Sequence, residues 1–119
     1  MAYQEAKGIK RLINACIFSA AGYKAAWQNE EAFRLEVIIL AVSTPLALWL
    51  GQTTVEKLLL IGSVVLVVLV ELLNSAVEAV VDRVGLEHHE LSGRAKDIGS
   101  AAVNASLIWA AITWAAILI

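Results

Sequence analysis

Val67 to Arg83 reads VVLVELLNSAVEAVVDR, an apolar run of helical length interrupted by Glu71, Asn74, Glu78 and Asp82. At about 100° per residue these four fall within about 80° of one another on a helix, and Ser75 borders the same stripe. A carboxylate near a bilayer centre costs about 2.5–3.5 kcal/mol on insertion scales. Glu71 lies roughly 10 Å deeper along the axis than Glu78 and is the more expensive of the two. One carboxylate among membrane helices serves well enough as hydrogen-bonding glue, but four polar groups in line exceed that need. Carboxylates set close together bind divalent cations or perturb one another's protonation.

The membrane setting follows from composition. The chain has 119 residues, 60% of them hydrophobic, and one proline. With a mean hydropathy of +0.75, a chain this short has too little interior to hide its apolar surface, so the bilayer must act as its solvent. A formal net charge of −2 gives no basic excess for nucleic acid. The single Cys16 excludes an intrachain disulfide and matches no metal-binding cysteine spacing. The N-terminal MAYQEAKGIKRL is charged and lacks the apolar core of a cleavable signal. With no linker, low-complexity tract or repeat, residues 1–119 read as one domain.

Val37–Val55, Leu58–Val81 and Ile98–Ile119 are free of charge or nearly so, and each approaches the roughly 20 residues that a span requires. The expected fold is therefore all-α, with spans at about 32–52, 57–82 and 96–119. Pro45 is a candidate kink in the first. Three spans put the N-terminal region and the Asp82–Asp97 loop on one side, with Lys7, Lys10, Arg11, Lys24, Arg34, Arg83, Arg94 and Lys96 against Lys57 opposite. That bias predicts a cytoplasmic N-terminus in a multi-pass membrane protein. Over about 7–28, Ile9, Leu12, Ile13, Cys16, Ile17, Ala20 and Trp27 recur at helical spacing, predicting an amphipathic helix at the cytoplasmic interface with Tyr23 and Trp27 as anchors.

The remaining polar residues gather at the same face. NEEAFRLE puts Glu30, Glu31 and Glu36 at one end of the first span, and DRVGLEHHELSGRAKD carries Glu87, His88, His89, Glu90, Arg94, Lys96 and Asp97. Solvation suffices for Glu31, His88 and Glu90, and adjacent histidines alone are weak evidence for zinc. No G-x-x-x-x-G-K-[ST], G-x-G-x-x-G or G-x-S-x-G occurs. A nucleotide would have to be held through carboxylate-bound Mg²⁺ and loop cations.

The segments AAWQNEEAFRLE, ELLNSAVEAVVDR and ELSGRAKDIGSAAV resemble the prokaryotic integral-membrane diacylglycerol kinases, and the resemblance covers nearly the whole chain. It implies a homotrimer in the bacterial inner membrane, with active sites between protomers, that uses ATP and Mg²⁺ to phosphorylate diacylglycerol to phosphatidic acid. By position, Glu71 matches the proposed general base, and Glu30 and Glu78 match the metal-binding carboxylates. Arg11, Phe18, Glu87, His88, His89, Lys96 and Asp97 fall with Glu30 and Glu78 at nucleotide-contacting positions. The lipid side is implied for Arg11, Ser19, Lys24, Trp27, Glu36, Glu71, Asn74, Ser100 and Trp114. Leu35 and Phe18 depart from the familiar Gln and Tyr of the family, which predicts altered affinity more than lost activity. Undecaprenol kinases share the pattern and are the nearest alternative; a small proton-coupled exporter is a distant one, since it requires no AKD segment.

Overall fold

A computed structural model describing residues 7–85, 87 and 89–119 contains four helices: α1 (Gly8–Asn29), α2 (Glu31–Leu50), α3 (Thr54–Val84) and α4 (Glu90–Leu118). The last three are each long and apolar enough to cross a membrane. At 1.5 Å per residue the 31 residues of α3 extend roughly 46 Å, more than the roughly 30 Å hydrocarbon slab, so its ends project beyond the apolar region.

Local chemistry sets each break. Glu30 alone separates α1 from α2, in an extended conformation with φ −119° and ψ 104°. Arg34 Nη1 reaches back to donate to Trp27 O at 2.7 Å and Gln28 O at 3.4 Å, satisfying carbonyls that the end of α1 leaves free. Between α2 and α3, a side chain on Gly51 would stand 2.6 Å from Lys57 Cγ and 2.9 Å from Ala47 O, so the turn requires glycine. Thr53 Oγ1 then accepts from Glu56 N at 3.1 Å, while Glu56 Oε1 accepts from Gln52 N at 3.3 Å, a reciprocal cap that starts α3. His89 Nδ1 accepts from Leu91 N at 3.0 Å and starts α4.

One expectation changes. The loop foreseen over Asp82–Asp97 is largely helical, because α3 continues to Val84 and α4 begins at Glu90. Charge ends the hydropathy pattern there without ending the helix: His89 caps it, and Glu90 in its first turn suits the helix dipole. Lys96 and Asp97 are thus helical residues. Pro45, the candidate kink, lies within α2, and just before it Thr44 Oγ1 and Ser43 Oγ both donate to Leu40 O, at 2.7 and 3.3 Å.

α3 is the central element, packed against both α2 and α4. The buried residues include Phe33 and Ala47 of α2 and Leu60, Val64 and Val67 of α3, together with Ser43, Ser63, Ser106 and Thr113. Leu35, Trp49, Leu58 and Leu73 point outward. Small and hydroxyl-bearing residues inside, with large apolar ones outside, is the distribution expected where lipid surrounds the helices, since apolar burial between them gains little over lipid contact. Trp114 Nε1 ties α4 to α3 by donating to Leu60 O at 3.0 Å.

Candidate active site

The polar stripe of α3 is buried at one end and wet at the other. Glu71, Asn74 and Ser75 are buried, Glu78 is half-buried and Asp82 is exposed. Glu71 lies within electrostatic reach of Glu78 and of Glu30 at the α1–α2 corner, and Glu36 of α2 lies within reach of Glu71. Carboxylates from three parts of the chain therefore converge. Glu36 and Glu71 are only 8% and 5% exposed, which is unusual for ionisable groups on facing helices.

Asn74 Nδ2 donates to Glu78 Oε1 at 3.2 Å, which orients that carboxylate. Among the described residues, the buried side-chain polar atoms without a hydrogen-bond partner are Glu36 Oε2, Asn74 Oδ1 and Ser75 Oγ. An unpaired buried polar atom costs about 1–3 kcal/mol, so three such atoms on the packed face around Glu71 form a region incomplete by itself. A cavity of about 530 Å³ opens beside it between α1 and α3, with Ser19, Tyr23, Asn29, Glu30, Ser75 and Ala79 on its walls. A second, of about 220 Å³, lies where α3 meets α4, bordered by Asp82, Glu87, His89, Ser92 and Lys96. Across it Lys96 Nζ and Asp82 Oδ1 form an ion pair at 2.7 Å.

No group of three or more His, Cys, Asp or Glu side chains capable of holding a metal occurs among the described residues. Mg²⁺ arriving with a nucleotide needs no such group. Such Mg²⁺ takes one or two carboxylates and completes its shell with phosphate and water oxygens. Glu30 and Glu78 offer hard oxygen donors, and Asn74 Nδ2 holds the Glu78 carboxylate through its hydrogen bond.

Other residues singled out in the sequence are spread more widely. Ser19 Oγ donates to Ala15 O at 2.8 Å and sits on the larger cavity. Phe18, Lys24 and Trp27 are exposed along α1. Arg11 is nineteen residues before Glu30, roughly 28 Å along the helix. Asp97 is exposed beside Glu90 and Arg94, in a different cavity from its neighbour Lys96, and Ser100 is exposed on α4. Trp114, bonded to Leu60 O, lies roughly 16 Å along α3 from Glu71, away from the carboxylates. His88 falls outside the described residues. Sequence reasoning missed the unpaired Ser75 hydroxyl, although its place at the border of the stripe was the available signal, and it counted Arg34 only as a cation.

Residues 17–118 match the family described as prokaryotic diacylglycerol kinase. The chain belongs to this family. Diacylglycerol kinase of Escherichia coli (strain K12) is 53% identical over 111 residues, covering 93% of this chain and 91% of its own. The diacylglycerol kinase of Haemophilus influenzae (strain ATCC 51907 / DSM 11121 / KW20 / Rd) is 52% identical over 111 residues, covering 93% and 94%. That of Pseudomonas aeruginosa strain PAO1 is 48% identical over 112 residues, covering 94% and 91%. The segment matched to the prokaryotic diacylglycerol kinases includes Glu30, Glu36, Glu71 and Glu78 and excludes Arg11.

Proposed function

We propose that this chain is a lipid kinase that transfers the γ-phosphoryl group of ATP, as its magnesium complex, to the hydroxyl of diacylglycerol, giving phosphatidic acid. The single observation that carries the reading is a buried carboxylate, Glu71, inside a membrane-length helix and within reach of Glu30 and Glu78. The names of the relatives support diacylglycerol as acceptor.

Phosphoryl transfer asks for alignment and charge neutralisation more than for covalent chemistry. Bound Mg²⁺ supplies charge neutralisation on the phosphate oxygens. Glu30 and Glu78 would hold it, and Asn74 keeps Glu78 oriented through its 3.2 Å hydrogen bond. Lys96, exposed beside Asp82, faces the phosphates as a cation. Glu71 accepts the proton of the lipid hydroxyl as the oxygen attacks phosphorus. Its depth suits a substrate whose tails stay in hydrocarbon: roughly 21 Å of helix separates it from Lys57, and roughly 16 Å from Asp82. Glu36 faces the same region and contacts the acceptor lipid.

One protomer leaves much of this region open. Ala101, Ala102 and Ala105 are exposed on α4 and permit close approach of another helix, which supports a homotrimer with active sites between subunits. The Lys and Arg bias supports a cytoplasmic N-terminus in a bacterial inner membrane, with α1 lying in the interface: its Ile9, Leu12, Ile17 and Trp27 are exposed apolar residues that lipid would cover.

The test gives purified protein labelled ATP and Mg²⁺ with diacylglycerol or undecaprenol in mixed micelles. Labelled phosphatidic acid is expected. Faster turnover of undecaprenol overturns the choice of lipid, and no phosphorylated product from either overturns the kinase reading.

A further inference from the structure

At one glycine the backbone of α4 lies directly against a side chain of α3. A Cβ built on Gly99 would run into Asn74 Oδ1 and stand 3.2 Å from Asn74 Cγ. At Gly22, Gly62 and Gly93, by contrast, an added Cβ meets nothing within 4 Å. The neighbour of Gly99 is also unusual. Asn74 is buried, its Oδ1 has no hydrogen-bond partner, and its Nδ2 donates to Glu78 Oε1 at 3.2 Å. The amide is thus held between a backbone that has no side chain and a carboxylate that it orients.

We infer that Gly99 is a positioning residue for the kinase: the space left by its missing side chain seats the Asn74 amide, which in turn fixes the carboxylate of Glu78. A methyl group at position 99 must either turn the amide away or push α4 outward. Turning the amide breaks its hydrogen bond to Glu78. Asn74 and Gly99 also border a cavity of about 400 Å³, so an amide turned away from Gly99 would move toward that space and away from Glu78. The inference rests on the reading above that Glu78 grips the metal–nucleotide complex. Outer partners of metal ligands commonly contribute about 10–100-fold to affinity or activity.

The test compares Gly99→Ala, Asn74→Ala and the double variant as full chains in lipid–detergent micelles. Two readouts are taken: steady-state kcat and KM for Mg–ATP, and Mn²⁺ binding by electron paramagnetic resonance with a non-hydrolysable ATP analogue. Gly99→Ala is expected to raise the KM and weaken Mn²⁺–nucleotide binding about 10–100-fold, with a smaller fall in kcat. In the Asn74→Ala background, where the amide is gone and the methyl has room, the same substitution should add less than about twofold.

Wild-type values for Gly99→Ala in both readouts overturn the proposal. So does a penalty of equal size in the Asn74→Ala background, which would make Gly99 a spacer between helices. If Gly99→Ala fails to assemble, assembly of the double variant supports the seat for the amide, and failure of both overturns it. A wild-type protein that binds no Mn²⁺ with the nucleotide rejects the metal-holding role of Glu78 instead; the coupling of positions 74 and 99 in the kinase rate still decides the role of Gly99.

Discussion

Two neighbouring stretches of α3 bury polar side chains in opposite ways. From Leu60 to Val67 the helix buries Leu60, Ser63, Val64 and Val67, and its polar groups are paired. Ser63 Oγ donates to Leu60 O at 2.9 Å, Trp114 Nε1 donates to the same carbonyl at 3.0 Å, and Thr113 Oγ1 of the facing helix donates to Trp109 O at 2.8 Å. From Glu71 to Ser75 the same helix buries a carboxylate, an amide and a hydroxyl, and two of them carry atoms with no partner. Glu36, facing this stretch from α2, carries a third. One stretch is finished as folded. The other keeps hydrogen-bonding capacity that only a ligand, water or another subunit can use, and a helix bears that cost where it has chemistry to perform.

The largest expected effect is at the unfinished stretch. Glu71→Gln keeps the volume of the side chain and removes the proposed proton acceptor, so lipid phosphorylation should fall by about 10²–10⁴-fold with helical content unchanged by circular dichroism. A rate near that of the wild type would erase the distinction between the two stretches. Leu60→Ala probes the finished stretch: Leu60 is fully buried, and its truncation should cost about 2–5 kcal/mol in reversible denaturation in micelles, while kcat and KM of the folded fraction stay put. Loss of catalysis without loss of stability would reverse the assignment.

Glu78→Gln should shift the Mg²⁺ titration of the kinase rate upward by at least about tenfold, and an unmoved curve would remove Glu78 from the metal. The smallest effect is expected at the exposed end, where Lys96→Ala should raise the KM for Mg–ATP several-fold and less so at high salt. An unaltered ATP curve would leave Lys96 as no more than the partner of Asp82.

How much of this was legible in the sequence depended on whether a single helix contained the information. The alignment of Glu71, Asn74, Glu78 and Asp82 follows from helical periodicity alone, and three membrane-length helices follow from hydropathy. Features that need two elements were not legible. Glu36 reads as a charge at the end of a span, yet the packing of α2 on α3 buries it opposite Glu71. Lys96 reads as a loop cation, yet it is helical and already paired to Asp82. Gly99 reads as one small residue among many, and its fit against Asn74 emerges only from where α4 crosses α3. Charge density misled the boundaries around Asp82–Asp97, because a helix that leaves the apolar slab keeps its backbone hydrogen bonds while its composition changes.

Glu30 is both the elbow between α1 and α2 and one of the acidic groups nearest Glu71. The same residue's backbone dihedrals set the direction of the first helix and the origin of its own side chain. Rocking α1 about this elbow would therefore carry an oxygen donor with it, without any intervening linkage to absorb the movement. Lengthening or shortening the chain by one residue at this elbow would swing both together, whereas the same change near Gly8 would leave the acidic group where it is.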